Sequence, residues 1–427
     1  MTLAFGVFGI AVLVGIAWAF SSHRRAVDWR LIGTGLALQL GIALFVLLTP
    51  FGTAVFEVLA RGFVAVISFS REGAVFIFGD FVDVEQFGFV FALQVLPTIV
   101  FFAALMSVLY HLGVMQRVVR AMSWAITRVM RVSGAETLAV SANVFVGQTE
   151  APLVVRPYVS RMTQSELMTL MVGGMATIAG GVMAAYVVLL GGSDPAQQAF
   201  YAKHLLSASV MAAPAALVVA KLLMPETGQP MTLGLAAPPE GERTTTNVID
   251  AAAVGAGDGV RLALNVGGML LAFLALIALV NFPLVWLGEV SGVSAWLSGV
   301  HGTPVQTDLA LLLGYLFSPL AWVTGVPWSE APAVGSLIGQ KVVANEFVAY
   351  VQLAEVAGGL SERSVLIATY ALCGFANFAS IAIQIGGIGG IAPERRADLS
   401  RFGLRAVLGG TLATLMTATL AGVIMSF

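Results

Sequence analysis

Residues 134–160 read GAETLAVSANVFVGQTEAPLVVRPYVS. The stretch begins as an apolar helix opened by Glu136, and at its centre it turns into Gly147-Gln148-Thr149-Glu150-Ala151-Pro152. From Glu136 to Gly147 is 11 residues, about 16 Å of helix at the usual rise. That distance reaches the midplane of a hydrocarbon core roughly 30 Å thick. Pro152 then removes a backbone donor and clashes with the turn before it. A short apolar piece follows and returns toward Arg156 and Arg161. Such a segment is expected to enter and leave a membrane on one side, as a re-entrant hairpin. Residues 328–356 repeat the pattern with Trp328-Ser329-Glu330, an apolar arm, Ala344-Asn345-Glu346 and a second arm. The acidic residues are similarly spaced, 14 apart from Glu136 to Glu150 and 16 apart from Glu330 to Glu346.

The rest of the chain is built to surround such hairpins. Of 427 residues 58% are hydrophobic and 10% are charged, against about 25% charged in a soluble domain. This balance excludes a soluble enzyme and a disordered adaptor, and the net charge of −2 suits no nucleic-acid partner. The one cysteine, Cys373, excludes a disulfide framework and a thiolate metal cluster. The four histidines fall near expected span ends and form no metal set.

Eight spans of suitable length are expected, over 2–20, 31–50, 87–110, 165–190, 204–224, 259–283, 365–391 and 404–426. The first lacks a basic leader and is followed by His23-Arg24-Arg25, the reverse of a signal peptide's charge order. It reads as a retained helix with its N-terminus outside, which puts the C-terminus outside as well. The charged stretch 51–86 reads as an interfacial helix plus loop. Residues 113–132 place Arg117, Arg120, Arg128 and Arg131 at helical spacing and read as a helix lying on the membrane surface. Residues 225–256 are a polar linker. With this topology 16 of the 21 Lys and Arg face inward, as the positive-inside rule requires. An odd number of spans separates the hairpins, so one opens inward and the other outward. After each hairpin comes a span with a polar break, at Ala176–Gly181 and at Gly374–Ser380. The expected fold is therefore an all-α polytopic membrane protein: eight transmembrane helices and two oppositely oriented re-entrant hairpins in an inverted repeat, with interfacial helices. Inverted repeats with broken helices meeting at the midplane characterise secondary transporters.

Three stretches, Asn143-Val-Phe-Val-Gly-Gln-Thr-Glu-Ala-Pro-Leu153, Ala344-Asn-Glu-Phe-Val-Ala-Tyr350 and Cys373-Gly-Phe-Ala-Asn-Phe-Ala-Ser-Ile381, resemble the signature motifs of the concentrative nucleoside transporter family, in the same order. The resemblance covers essentially the whole chain. It implies a homotrimer in the bacterial inner membrane, importing nucleosides such as uridine with sodium as the coupling ion by an elevator-type movement. It further implies a scaffold formed by 1–112 and by 225–300, and a transport domain formed by two repeats, 113–224 and 301–427. Carried over by position, Gly147, Gln148, Thr149, Glu150 and Val182 would face the nucleobase. Glu346, Phe375, Asn377 and Ser380 would face the ribose. Sodium would sit near Asn143, Val146, Thr177 and Ile178, in part on backbone carbonyls.

The residue chemistry agrees with a neutral, polyhydroxylated solute. A carboxylate at mid-membrane depth costs about 2.5–3.5 kcal/mol on insertion scales, so it belongs in a bundle interior or a wet cavity. Gln and Thr donate and accept, while an ionised Glu accepts from hydroxyl or N–H groups. No Lys or Arg cluster awaits a phosphate, and Phe375 and Phe378 offer an apolar wall. Lys341, five residues before Glu346, reads as a neutralising or snorkelling group. Exposed carbonyls at broken helices suit sodium, although Glu150 or Glu346 carrying a proton remains an alternative. A proton-coupled nucleoside or nucleobase carrier, an intramembrane hydrolase using the two carboxylates and a channel are the competing functions. The chain lacks GxGD and HExxH signatures, and no cofactor is expected.

Overall fold

The computed structural model describes residues 3–234, 245–301 and 305–425. Within them the chain is helical, with one isolated β-bridge between Ser133 and Leu233. The first helices are α1 (Leu3–Ala19), α2 (Trp29–Leu48) and α3 (Pro50–Phe78). Asp28 caps α2 by accepting from the amides of Arg30 and Leu31. Thr49, with Pro50 at the first helical position, starts α3.

α3 occupies most of the stretch 51–86, read from the sequence as an interfacial helix plus loop. It is one continuous helix of 29 residues, about 43 Å long, and its length and composition suffice to cross a membrane. The cause lies in the spacing of its charges. Glu57 and Arg61 fall near one end and Arg71 and Glu72 near the other, which leaves an uncharged run between them. Glu57 is also taken up by Lys203 in an ion pair of 3.1 Å.

α4 (Leu96–His111) and α5 (Val114–Met130) follow. The first hairpin is α6 (Gly134–Asn143), a non-helical tip, and two one-turn helices, Ala151–Val154 and Arg156–Val159, each restarted by a proline. The expected span 165–190 is two helices, α7 (Gln164–Ala176) and α8 (Gly180–Gly191), and α9 (Pro195–Leu223) closes this half. α10 (Val248–Val290) runs for 43 residues, about 65 Å, well beyond the expected 259–283. A short helix, Val293–His301, and α11 (Leu309–Val323) lead to the second hairpin, α12 (Ala331–Val343) and α13 (Glu346–Val356). The expected span 365–391 is likewise two helices, α14 (Glu362–Leu372) and α15 (Phe378–Ile391), and the last helix is α16 (Arg396–Ile424).

Among the described residues seven helical runs are long and apolar enough to cross a membrane, and α1, α11 and α15 are shorter apolar helices. Burial divides them. The apolar windows of α9 and α16 are 89% buried, whereas that of α10 is 6% buried. The core therefore lies around the broken helices, and α10 presents its Leu, Phe and Trp side chains outward, as a helix does when apolar lipid or protein surrounds it.

Each hairpin is clasped at its mouth. In the first, Ser133 and Glu136 form a capping box, and Lys221 at the end of α9 pairs with Glu136 at 2.8 Å. In the second, Ser361 donates to Glu330 from its amide (3.2 Å) and its hydroxyl (2.8 Å).

Candidate functional site

At the first break the backbone leaves helical geometry at Thr177 (φ −128°, ψ 168°), and α8 restarts from Ala179 without a side-chain cap. The amide of Gly180 instead donates to the carbonyl of Phe145 in the hairpin tip at 3.0 Å. At the second break Asn377 starts α15, its Oδ1 accepting from the amide of Ser380 at 2.9 Å. The two breaks abut. A Cβ placed on Gly374 would stand 2.8 Å from the carbonyl oxygen of Met175, so only glycine allows this approach.

Three groups of polar side chains gather here in the buried interior. In the first, Gln148 donates from Nε2 to Ser380 Oγ at 3.0 Å, and its Oε1 accepts from Gln384 Nε2 at 3.0 Å. Gln384 also donates to the carbonyl of Met171, again at 3.0 Å. Gly174 makes room for this bridge, since a Cβ there would come within 2.8 Å of Gln384 Nε2. In the second group Glu346 accepts from Tyr186 Oη at one oxygen and from Asn377 Nδ2 at the other, both at 3.0 Å. Glu346 and Asn377 are each 4% exposed. Each hairpin tip is thus tied to the second break.

The third group lies at the first break. Asn143 is 1% exposed, and neither its Oδ1 nor its Nδ2 has a hydrogen-bond partner. Its amide packs beside Gly173, whose carbonyl accepts from the Thr177 hydroxyl at 3.0 Å. The hydroxyl proton is thereby committed, and the Thr177 oxygen is left as an acceptor. Ile178 is buried and Val146 half-buried beside them. Two oxygen acceptors with backbone carbonyls of an interrupted helix fit a hard monovalent cation.

Other expected residues stand apart from these groups. The carboxylate of Glu150 folds back over Gly147, and the residue is exposed. Thr149 packs on Gly387 of α15. Val182 is buried in α8, Phe375 is half-buried in the second break, and Phe378 is 48% exposed at the start of α15. Lys341 corrects the snorkelling reading. It is fully buried, and its ammonium donates to the carbonyl of Ala371 at 2.8 Å and to Thr414 Oγ1 at 3.0 Å.

Tyr186 and Gln384 are absent from the sequence reading, though helical spacing carries the signal for both. Asn377, Ser380 and Gln384 form a stripe at i, i+3 and i+7 on an apolar helix, and Tyr186 lies four residues after Val182.

Sequence comparisons match this architecture. The profile described as "Na+ dependent nucleoside transporter C-terminus" matches residues 204–422, its N-terminal counterpart matches 8–81, and one described as "Nucleoside recognition" matches 92–193. The chain belongs to the Na+-dependent nucleoside transporter family. Nucleoside permease NupC of Helicobacter pylori is 40% identical, over 98% of this chain and 97% of its own length. Sodium/nucleoside cotransporter 1 of Mus musculus is also 40% identical, over 97% of this chain and 63% of its own length. CNTnw in an inward-facing substrate-bound state shares 43% identity with a TM-score of 0.88, covering 100% of this chain and 98% of that one. Other structures of CNTnw with similar scores are outward-facing or intermediate. The family is one of nucleoside transporters, not of enzymes, so the paired carboxylates are not those of an intramembrane hydrolase.

Proposed function

We propose that this transporter is a sodium-coupled symporter that concentrates nucleosides such as uridine across the bacterial inner membrane, working as a homotrimer by an elevator-type movement. The observation that carries this reading is the convergence of both hairpin tips on the second break: Gln148 on Ser380, and Glu346 on Asn377. These four side chains are buried. Glu346 and Asn377 take the ribose hydroxyls, with Ser380 and Phe375 beside them. Gln148 with Gly147, Thr149, Glu150 and Val182 takes the base. Gln148 bonds to Ser380 and Glu346 to Asn377, and on binding a sugar hydroxyl replaces the Asn377 donor on Glu346.

Sodium binds at the first break, on Asn143 and Thr177 with the carbonyls of Val146 and Ile178. By joining the first hairpin to the broken helix it shapes the base side of the site, which couples ion to nucleoside. The repeats 113–224 and 301–427 move together as the transport domain. Residues 1–112 and 225–300 form the scaffold, whose outward-facing α10 supplies contact with lipid and with neighbouring protomers. Both termini lie on the periplasmic side.

The test is uptake of labelled uridine into proteoliposomes under a sodium gradient, and then under a proton gradient alone. Concentrative uptake that requires sodium is expected. Uptake driven by protons alone would keep the nucleoside site and remove the ion from Asn143. No uptake of any nucleoside under either gradient would overturn the substrate assignment.

A further inference from the structure

Lys341 stands five residues before Glu346, close enough for the two charges to attract, but no direct ion pair joins them. The carboxylate is held by Tyr186 and Asn377, and the ammonium makes no ion pair among the described residues. Its hydrogen bonds go to the Ala371 carbonyl and the Thr414 hydroxyl. Ala371 lies in the last turn of α14, whose final carbonyls lack helical partners and carry the negative end of the helix dipole. A bare buried ammonium is costly, and these two acceptors on separate helices hold it in place.

The first break offers the same chemistry without a lysine. There the end of α7, the Thr177 hydroxyl and the unpartnered Asn143 amide lie together. In both places an interrupted helix, a threonine oxygen and the first arm of a hairpin form a set of oxygen acceptors of the kind that holds monovalent cations. In the second, the positive charge is covalently attached to the hairpin arm itself.

We propose that Lys341 is a tethered cation, standing in the second repeat where the first repeat takes up a sodium ion, so that the carrier has one exchangeable sodium site rather than two. The inference rests on the sodium-coupled reading above. Its consequence is stoichiometric. A charge that stays on the transport domain crosses the membrane field in both directions and cancels over a full cycle. Only released sodium contributes net charge, so each nucleoside brings in one.

Equilibrium binding of radiolabelled sodium to the purified carrier with saturating uridine tests this, together with the charge-to-uridine ratio in proteoliposomes. The wild type should bind one ion per protomer and move one charge per uridine. Lys341→Ser leaves the Ala371 carbonyl and Thr414 hydroxyl facing a gap with one added hydroxyl, and should bind two ions. Lys341→Met fills the gap without an acceptor and should bind one. A role limited to holding the helices together would not separate serine from methionine by ion count. One ion in a Lys341→Ser carrier that still binds uridine overturns the proposal. Two ions in the wild type do so as well, and that count needs no variant to fold. No sodium bound by the wild type would instead overturn the sodium-coupled reading and this inference with it.

Discussion

The two helix breaks lie against each other, yet the nearby asparagine is unpartnered at the first, the open break, and used at both polar atoms at the second, the closed break. In the second break Asn377 is used twice, capping α15 with its oxygen and reaching Glu346 with its nitrogen. In the first, the residue that starts α8 is Ala179, which has no side chain to cap with, and the nearby Asn143 amide has no partner. An unsatisfied buried polar group costs about 1–3 kcal/mol. Such a group suits a place where a ligand supplies the missing interaction, and on the proposed reading the closed break is where a neutral solute exchanges one set of hydrogen bonds for another. The open break thus reads as the place for an ion, and the closed break as the place for a sugar.

The harshest way to break this contrast is Glu346→Gln. The substitution removes the charge that strengthens two hydrogen bonds, each worth about 1.5–3 kcal/mol when charge-assisted. It also turns an amide N–H toward Tyr186 Oη or Asn377 Nδ2. Uridine uptake should fall by roughly 100-fold, the size such a loss implies, while the carrier still purifies as a folded species. Uptake at the wild-type rate would remove Glu346 from the substrate.

Asn143→Ala sharpens the contrast from the other side, because here nothing in the protein is disconnected. Thermal stability without sodium should be unchanged or slightly raised, since an unpaired amide is removed. The sodium concentration for half-maximal uptake should rise by roughly tenfold, equivalent to about 1.4 kcal/mol. The stabilisation that sodium gives the wild type should shrink with it. A large loss of stability without sodium, at an unchanged sodium requirement, would make Asn143 a structural residue.

Much of this arrangement is legible in the sequence because it violates the apolar pattern. Gln148, Glu150, Asn345, Glu346 and Asn377 interrupt runs that would otherwise span a membrane, and proline and glycine mark the same places. Hairpins and breaks therefore announce themselves. What stays hidden is which polar groups meet. Gln148 and Gln384 are 236 residues apart, and Tyr186 and Glu346 are 160 apart, pairings that only the crossing of the two repeats creates. Composition also misleads for α10, where a hydropathy window stops at the membrane's thickness although the helix continues from Val248 to Val290. Lys341 shows a third limit. A lysine near an apolar arm is expected to reach for water, and only the position of the Ala371 carbonyl reveals why it does not.

The smallest effect concerns the mouths of the hairpins, which differ as the breaks do. The first is clasped by a buried ion pair, with Lys221 and Glu136 only 5% and 1% exposed. The second is clasped near the surface by Glu330. Partial burial raises the Glu330 pKa, but hydrogen bonds from Ser364 and Ser361 outweigh it and hold the carboxyl below its ordinary range. A depressed folded value gives stability that is present above the ordinary carboxylate pKa and is lost as pH falls through the folded one. Amide exchange at Ser361, corrected for its intrinsic pH dependence, should therefore become a few-fold faster in acid. In Glu330→Gln the neutral amide accepts more weakly, and exchange at neutral pH should already approach that rate. At neutral pH that variant should leave Ser133 unchanged, since a separate carboxylate receives its amide. Faster exchange at Ser133 in the Glu330→Gln variant would mean that the two clasps are not independent, and would count against treating the hairpins as separately latched.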